Sequence, residues 1–223
     1  MPRTHAIEVA AHGRYLVEAV SEGAARGLLV GFHGYGEPAE VMLERLTELA
    51  ASNQWTVVSI QGLHRFYRGR TDQVVASWMT RQDRDLAIDD NLKYVAAVVE
   101  ASTRESSVIL PVIFAGFSQG VAMAFRAACT SPEKVAAVIA VGGDIPPELS
   151  DAQLGRLPVA LLARGAADDW YTAAKWEADK ARLQTAGVEV VAVGFDGGHE
   201  WHPDVNREAG SLLKMQAGSS EPA

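Results

Sequence analysis

Short apolar runs at Leu28–Phe32, Val57–Ile60, Val112–Ala115, Val135–Val141, Val159–Ala163 and Val188–Val193 constrain this chain most. They are too short for helices, and most show no polar alternation, so they predict strands buried on both faces. Between them lie segments of helical period. Pro38 opens one through Ser52, with Val41, Leu46 and Leu49 on one side. Thr80 and Asp83 form a capping-box-like start to another, which carries Ile88, Leu92, Val95 and Val99. Gln119–Thr130, Thr172–Ala186 (closed by Gly187) and Asp204–Gln216 complete the set, with room for one short helix between Glu148 and Leu154. Strands that alternate with helices imply an α/β fold: a mostly parallel central sheet with helices on both faces. At the start, Ala6–Ala10 and Tyr15–Val20 flank His12-Gly13 and predict an N-terminal antiparallel hairpin. Gln61 to Met79 reads as a long polar loop, residues 1–216 as a single domain, and 217–223 as a frayed tail.

Right-handed crossovers place the loops after the parallel strands along one edge of such a sheet, where ligands bind. The charge balance, 20 basic against 28 acidic residues, gives −8 and disfavours a nucleic-acid partner. One cysteine, Cys129, rules out an internal disulfide framework and fits a reducing compartment. The first residues carry no apolar signal core, and the longest apolar stretch, Val108 to Ala115, falls far short of a membrane span. The expectation is a cytoplasmic protein with no membrane partner.

Gly116-Phe117-Ser118-Gln119-Gly120 joins an apolar strand to an apolar helix. A sharp strand-to-helix turn strains its central residue, and small neighbours relieve the crowding. Ser118 then stands exposed above a helix N-terminus, whose dipole favours negative charge. A serine hydroxyl is a poor nucleophile without a base, and the base needs an orienting acid. Asp168 and Asp169 follow the run Val159–Ala163, and Gly197-Gly198-His199 follows Val188–Val193. Asp168 is the preferred acid and Asp169 its rival. His199, behind two glycines, is preferred as base over His202, which precedes Pro203. Acyl transfer also needs donors for an oxyanion. The glycines of His33-Gly34-Tyr35-Gly36 let a backbone N–H reach the site, so the N–H groups of Tyr35 and Gln119 are the expected pair. His33 is expected to hold the loop.

GFHGYG at 31–36, GFSQG at 116–120, RGAADDWY at 164–171 and GGHE at 197–200 together resemble the phospholipase/carboxylesterase family of α/β-hydrolases, which includes acyl-protein thioesterases and bacterial carboxylesterases. The resemblance implies Ser118 as nucleophile, Asp168 as acid, His199 as base, and Tyr35 and Gln119 as oxyanion donors. It implies a small ester or thioester as substrate, with no cofactor and no metal. Glu37 stands where the thioesterases carry Asp, and Trp170-Tyr171 where they carry valine-proline.

Trp78, Trp170, Tyr171 and Trp201 fall in loops at the same edge, where each either lines a substrate pocket or anchors its loop. Arg65, Arg68, Arg70, Arg81 and Arg84 either meet an anionic substrate or, with Asp72, Asp83, Asp85, Asp89 and Asp90, form a solvated ion-pair surface; the second is preferred. Two other functions compete. Gly34-Tyr35-Gly36-Glu37-Pro38-Ala39 fits a dinucleotide-binding loop, although the next strand ends at Ile60-Gln61-Gly62 without the acid that would hold a ribose. A catalytically dead hydrolase fold that only binds is the third reading. The His199-Glu200-Trp201-His202 spacing does not match a zinc helix.

Overall fold

The computed structural model describes residues 2–20, 25–50, 54–104 and 110–218. The elements in order are β1 (Arg14–Glu18), β2 (Gly27–Phe32), α1 (Ala39–Ala50), β3 (Trp55–Gln61), β4 (His64–Tyr67), β5 (Val74–Ser77), α2 (Arg84–Thr103), β6 (Val112–Phe117), α3 (Gln119–Thr130), β7 (Val135–Val141), α4 (Asp151–Leu154), β8 (Val159–Gly165), α5 (Ala173–Thr185), β9 (Glu189–Phe195) and α6 (Pro203–Gly218). Seven strands form the main sheet in the order β1-β3-β2-β6-β7-β8-β9, and every pair is parallel except β1 with β3.

Side-chain alternation divides the apolar runs between two cores. Leu28, Val30, Phe32, Val112 and Phe114 point to the face covered by α2, α3, α4 and α5. Leu29, Ile113, Ala115 and Phe117 point to the other, where Met42, Leu46 and Leu49 of α1 meet Val205, Ala209 and Leu212 of α6. Each central strand is therefore apolar throughout because each face has its own helical layer. Among the described residues, no helix is long and apolar enough to cross a membrane.

Three expectations are corrected. The N-terminal antiparallel element is one strand, not a pair: Ala6–Ala10 lies exposed without strand structure, while β1 runs antiparallel along β3 with Arg14 opposite Gln61. The stretch from Gln61 to Met79 contains an antiparallel hairpin, β4–β5, with Arg65 opposite Ala76. It docks on the loop after β2, where the Gly36 N–H donates to the Ala76 carbonyl at 3.0 Å and the Ala76 N–H donates to the Glu37 carbonyl at 3.2 Å. The capping box before α2 does not form. Asp83 takes a left-handed backbone with φ 49° and makes no side-chain cap, and the Thr80 hydroxyl donates to the Gln82 carbonyl. The tail expected to fray lies in part outside the described residues, from 219 onward.

Candidate active site

β6 turns into α3 through Ser118, whose backbone sits at φ 52°, ψ −117°. A non-glycine residue there carries about 1–3 kcal/mol of strain, so its surroundings must hold it. Its N–H donates to the Val141 carbonyl at 2.9 Å. The two glycines of the motif answer to backbone contact. A Cβ on Gly116 would lie 2.5 Å from the Gly120 oxygen, and one on Gly120 would lie 2.1 Å from the Phe32 oxygen. The turn is thus pressed against β2 as well as folded on itself.

The Ser118 hydroxyl and His199 Nε2 are 2.8 Å apart, and His199 Nδ1 is 2.8 Å from Asp168 Oδ2. The other Asp168 oxygen accepts the N–H groups of Trp170 and Tyr171, each at 2.8 Å. A carboxylate oxygen accepts, so Nδ1 carries the ring proton and Nε2 is left to accept from Ser118. Asp168 is buried, whereas its rival Asp169 is exposed and borders the cavity. Gly142, at φ 66°, follows β7; a Cβ there would come within 3.1 Å of the His199 ring. His202 plays another part. It stacks on Phe195 with centroids 4.7 Å apart, and its Nδ1 accepts the Asp204 N–H at the start of α6.

On the opposite side of Ser118, His33 is buried in the loop after β2. Its Nε2 faces the Gly62 N–H at 3.0 Å and must accept. Its Nδ1, 2.7 Å from the Gly34 carbonyl, therefore donates. Burial holds the pKa of His33 below the ordinary histidine range. The Gly34 N–H donates to Glu37 Oε2 at 2.8 Å, and Arg45 grips the same carboxylate with two nitrogens at 2.8 and 2.9 Å. The Arg45 guanidinium in turn lies 4.4 Å over the Phe117 ring, which sits 5.2 Å from the His199 ring. The N–H groups of Tyr35 and Gln119 meet no acceptor among the described residues, and both residues border the same cavity as Ser118 and His199.

That cavity holds about 880 Å³. Met79, Ala122, Ile145, Pro146 and Trp170 supply apolar wall, and Arg126 borders it on α3. The aromatic expectation divides. Trp170 lines the cavity. Trp201 lies on a separate cavity of about 530 Å³ beyond His199, beside Phe117 and Arg45. Trp78 and Tyr171 are fully buried and line neither. The Trp78 indole donates to the His33 carbonyl at 2.8 Å. The Tyr171 hydroxyl donates to Asp179 Oδ2 at 2.9 Å, and that oxygen also accepts the Ile145 N–H at 3.2 Å. Both aromatics are anchors because a buried indole N–H or phenol needs a partner, and each finds one away from the cavity.

Several site residues escaped the sequence reading. The Gln119 side chain takes the Trp78 N–H at 3.0 Å and the Ser77 hydroxyl at 3.2 Å on Oε1, and donates to the Met79 carbonyl at 3.0 Å. Glu37 and Arg45 fix the loop that carries Tyr35. Asp179 and Arg126 hold the cavity wall; the Arg126 partner, Glu148, accepts its Nε at 2.8 Å. The Gln119 and Arg126 contacts join residues far apart in sequence, and the Glu37–Arg45 and Tyr171–Asp179 pairs each cross from a loop into a helix, where neither a helical nor a strand period marks them. The dinucleotide reading of Gly34–Ala39 is corrected: the Glu37 carboxylate already occupies the Gly34 N–H that a phosphate would need. No cluster able to hold a metal ion occurs among the described residues.

Residues 17–200 match the sequence profile of the family described as Phospholipase/Carboxylesterase. Esterase PE8 is 26% identical over 91% of this chain and 97% of its own, with a TM-score of 0.69. A carboxylesterase from Mesorhizobium loti superposes with a TM-score of 0.73 at 20% identity, covering 90% of this chain and 94% of its own. The Zea mays acyl-protein thioesterase 2 gives 0.71 at 18% identity, over 93% of this chain and 100% of its own. No curated protein matches in sequence. With the profile covering most of the chain and an esterase fold around the Ser118 turn, this chain is an α/β-hydrolase enzyme that belongs to the phospholipase/carboxylesterase family.

Proposed function

We propose that residues 1–216 form a single-domain serine hydrolase that cleaves carboxylic esters or thioesters of small molecules through an acyl-enzyme on Ser118. The observation that carries the reading is the continuous hydrogen-bonded line from Ser118 through His199 to Asp168, at 2.8 Å in each step. Ser118 Oγ attacks the acyl carbon while His199 Nε2 takes its proton. Asp168 fixes the ring and stabilises the imidazolium. The carbonyl oxygen, now an oxyanion, accepts from the Tyr35 and Gln119 N–H groups. His199 passes the proton to the leaving oxygen or sulfur, then activates water to release the acid. No cofactor or metal enters this cycle. A cytoplasmic site of action suits a chain whose one cysteine, Cys129, is buried and free.

A fluorophosphonate probe tests the reading, because only an activated serine is phosphonylated. The wild type should be labelled at Ser118, and Ser118→Ala should escape labelling. The variant should also lose about six orders of magnitude in kcat on p-nitrophenyl acetate. Failure to label Ser118, or substantial turnover by the purified variant, removes the serine from the chemistry and favours the binding-only alternative.

A further inference from the structure

Arg126 is the least expected group in the cavity wall. It is buried on α3, yet it borders the same cavity as Ser118. Gln119, Ala122 and Arg126 recur at helical spacing and all face that space. The rise from Gln119 to Arg126 is about 10 Å, so the guanidinium stands roughly two turns from the Ser118 end. Its Nε and Nη2 both donate to Glu148 Oε1, at 2.8 and 2.5 Å. Among the described residues, its Nη1 meets only the Met79 thioether, at 3.9 Å, a weak acceptor for a buried cation. Arg84, which also borders the cavity, approaches the second Glu148 oxygen at 3.6 Å. Two guanidiniums that border the cavity therefore share one exposed carboxylate outside its lining, and Arg84 Nη1 also lies 3.5 Å from the exposed Asp85. The acids that do border the cavity are placed differently. Asp144 is paired with Lys175 at 3.0 Å, and Asp169 is exposed near Ser118 and His199.

We infer that the cavity takes an acyl group ending in a carboxylate, a half-ester or half-thioester of a medium-length dicarboxylic acid, with the free carboxylate bound by Arg126 Nη1 and Arg84. This rests on the reading of Ser118 as the attacked centre's nucleophile. The apolar wall of Ala122, Ile145 and Pro146 suits the methylene chain between the two ends. Charge-assisted hydrogen bonds from two guanidiniums in a partly desolvated cavity give both binding and register.

The test compares mono-p-nitrophenyl esters of succinate, adipate and suberate with ω-carboxamide esters of equal length. At one length the wild type should prefer the carboxylate in kcat/KM by about tenfold to a hundredfold. The triple variant R84Q/R126Q/E148Q, which removes both cations together with the carboxylate they share, should bring that ratio to about one. R84Q, at the exposed rim, should lower it in part, and R126K should keep part of it. A flat wild-type ratio at every length overturns the inference and leaves Arg126 as a tether for the 145–149 segment. A ratio that survives in R84Q/R126Q/E148Q overturns it as well. Wild-type turnover of p-nitrophenyl acetate separates the two levels: turnover with a flat ratio rejects the carboxylate alone, and no turnover rejects the esterase reading with it.

Discussion

Asp168 uses one carboxylate oxygen on two backbone N–H groups and the other on His199, so its geometry is fixed before any substrate arrives. Asp168→Asn keeps the size and can keep both backbone bonds. It also sets an amide N–H where Nδ1–H points, which forces the imidazole into the tautomer that cannot accept from Ser118. The expected loss is about four orders of magnitude in kcat on p-nitrophenyl acetate. Asp169→Asn, at an exposed carboxylate, should change it by less than about tenfold. The opposite ranking would move the acid one position along. These residues were legible in the sequence because each stands directly after an apolar run, so the strand pattern located them. Trp78 was not legible. An aromatic in a loop fits a pocket or an anchor equally well, and the deciding contact, its indole on the His33 carbonyl, spans 45 residues.

At the scale of elements, the strands of the central sheet were read to within a few residues because two-sided burial demands unbroken apolar runs. The hairpin β4–β5 was hidden for the same physical reason. All four residues of β4 are exposed, and β5 buries only Val75, Ala76 and Ser77, a run too short and too polar to mark a strand in the sequence. The first predicted strand erred the other way. Ile7 and Val9 alternate as a half-buried strand should, yet both are exposed and find no sheet partner. The hairpin matters because it ends at the site. Ser77, Trp78 and Met79 all bond the Gln119 side chain, so β5 and the start of α3 are held together beside the proposed oxyanion donor. Gln119→Leu preserves the bulk and the backbone N–H but removes the acceptor for Trp78 and Ser77. It should cost about 1–3 kcal/mol in a urea titration, the usual range for stranding a buried donor. It should also lower kcat/KM as the 77–79 segment loosens. Unchanged stability together with unchanged kinetics would show that the segment is held by its apolar contacts alone.

For the whole molecule, the sheet brings loops after β2, β6, β7, β8 and β9 to one edge, and His33 is the one histidine buried completely there. Its burial makes acid stability readable from one side chain. An unfolded chain takes up a proton on this histidine as pH falls through about 6.5. The folded protein resists, because burial disfavours the imidazolium and because Nε2 must stay an acceptor for the Gly62 N–H. The unfolded state therefore binds more protons in the interval below about 6.5, and stability must rise with pH there. The His33 contribution is fully present above that value. It is lost as pH falls from it toward the depressed folded pKa, with a slope of at most about 1.4 kcal/mol per pH unit for one proton. Other groups titrate in the same interval, so the measurement is a difference. His33→Gln does not titrate, and its amide oxygen can accept from Gly62. Urea unfolding of both proteins from pH 7.5 to 5 should show the wild type losing stability faster than the variant below about pH 6.5. Parallel curves over that range would mean that His33 takes its proton as readily folded as unfolded, and would refute the neutral, loop-holding imidazole described above.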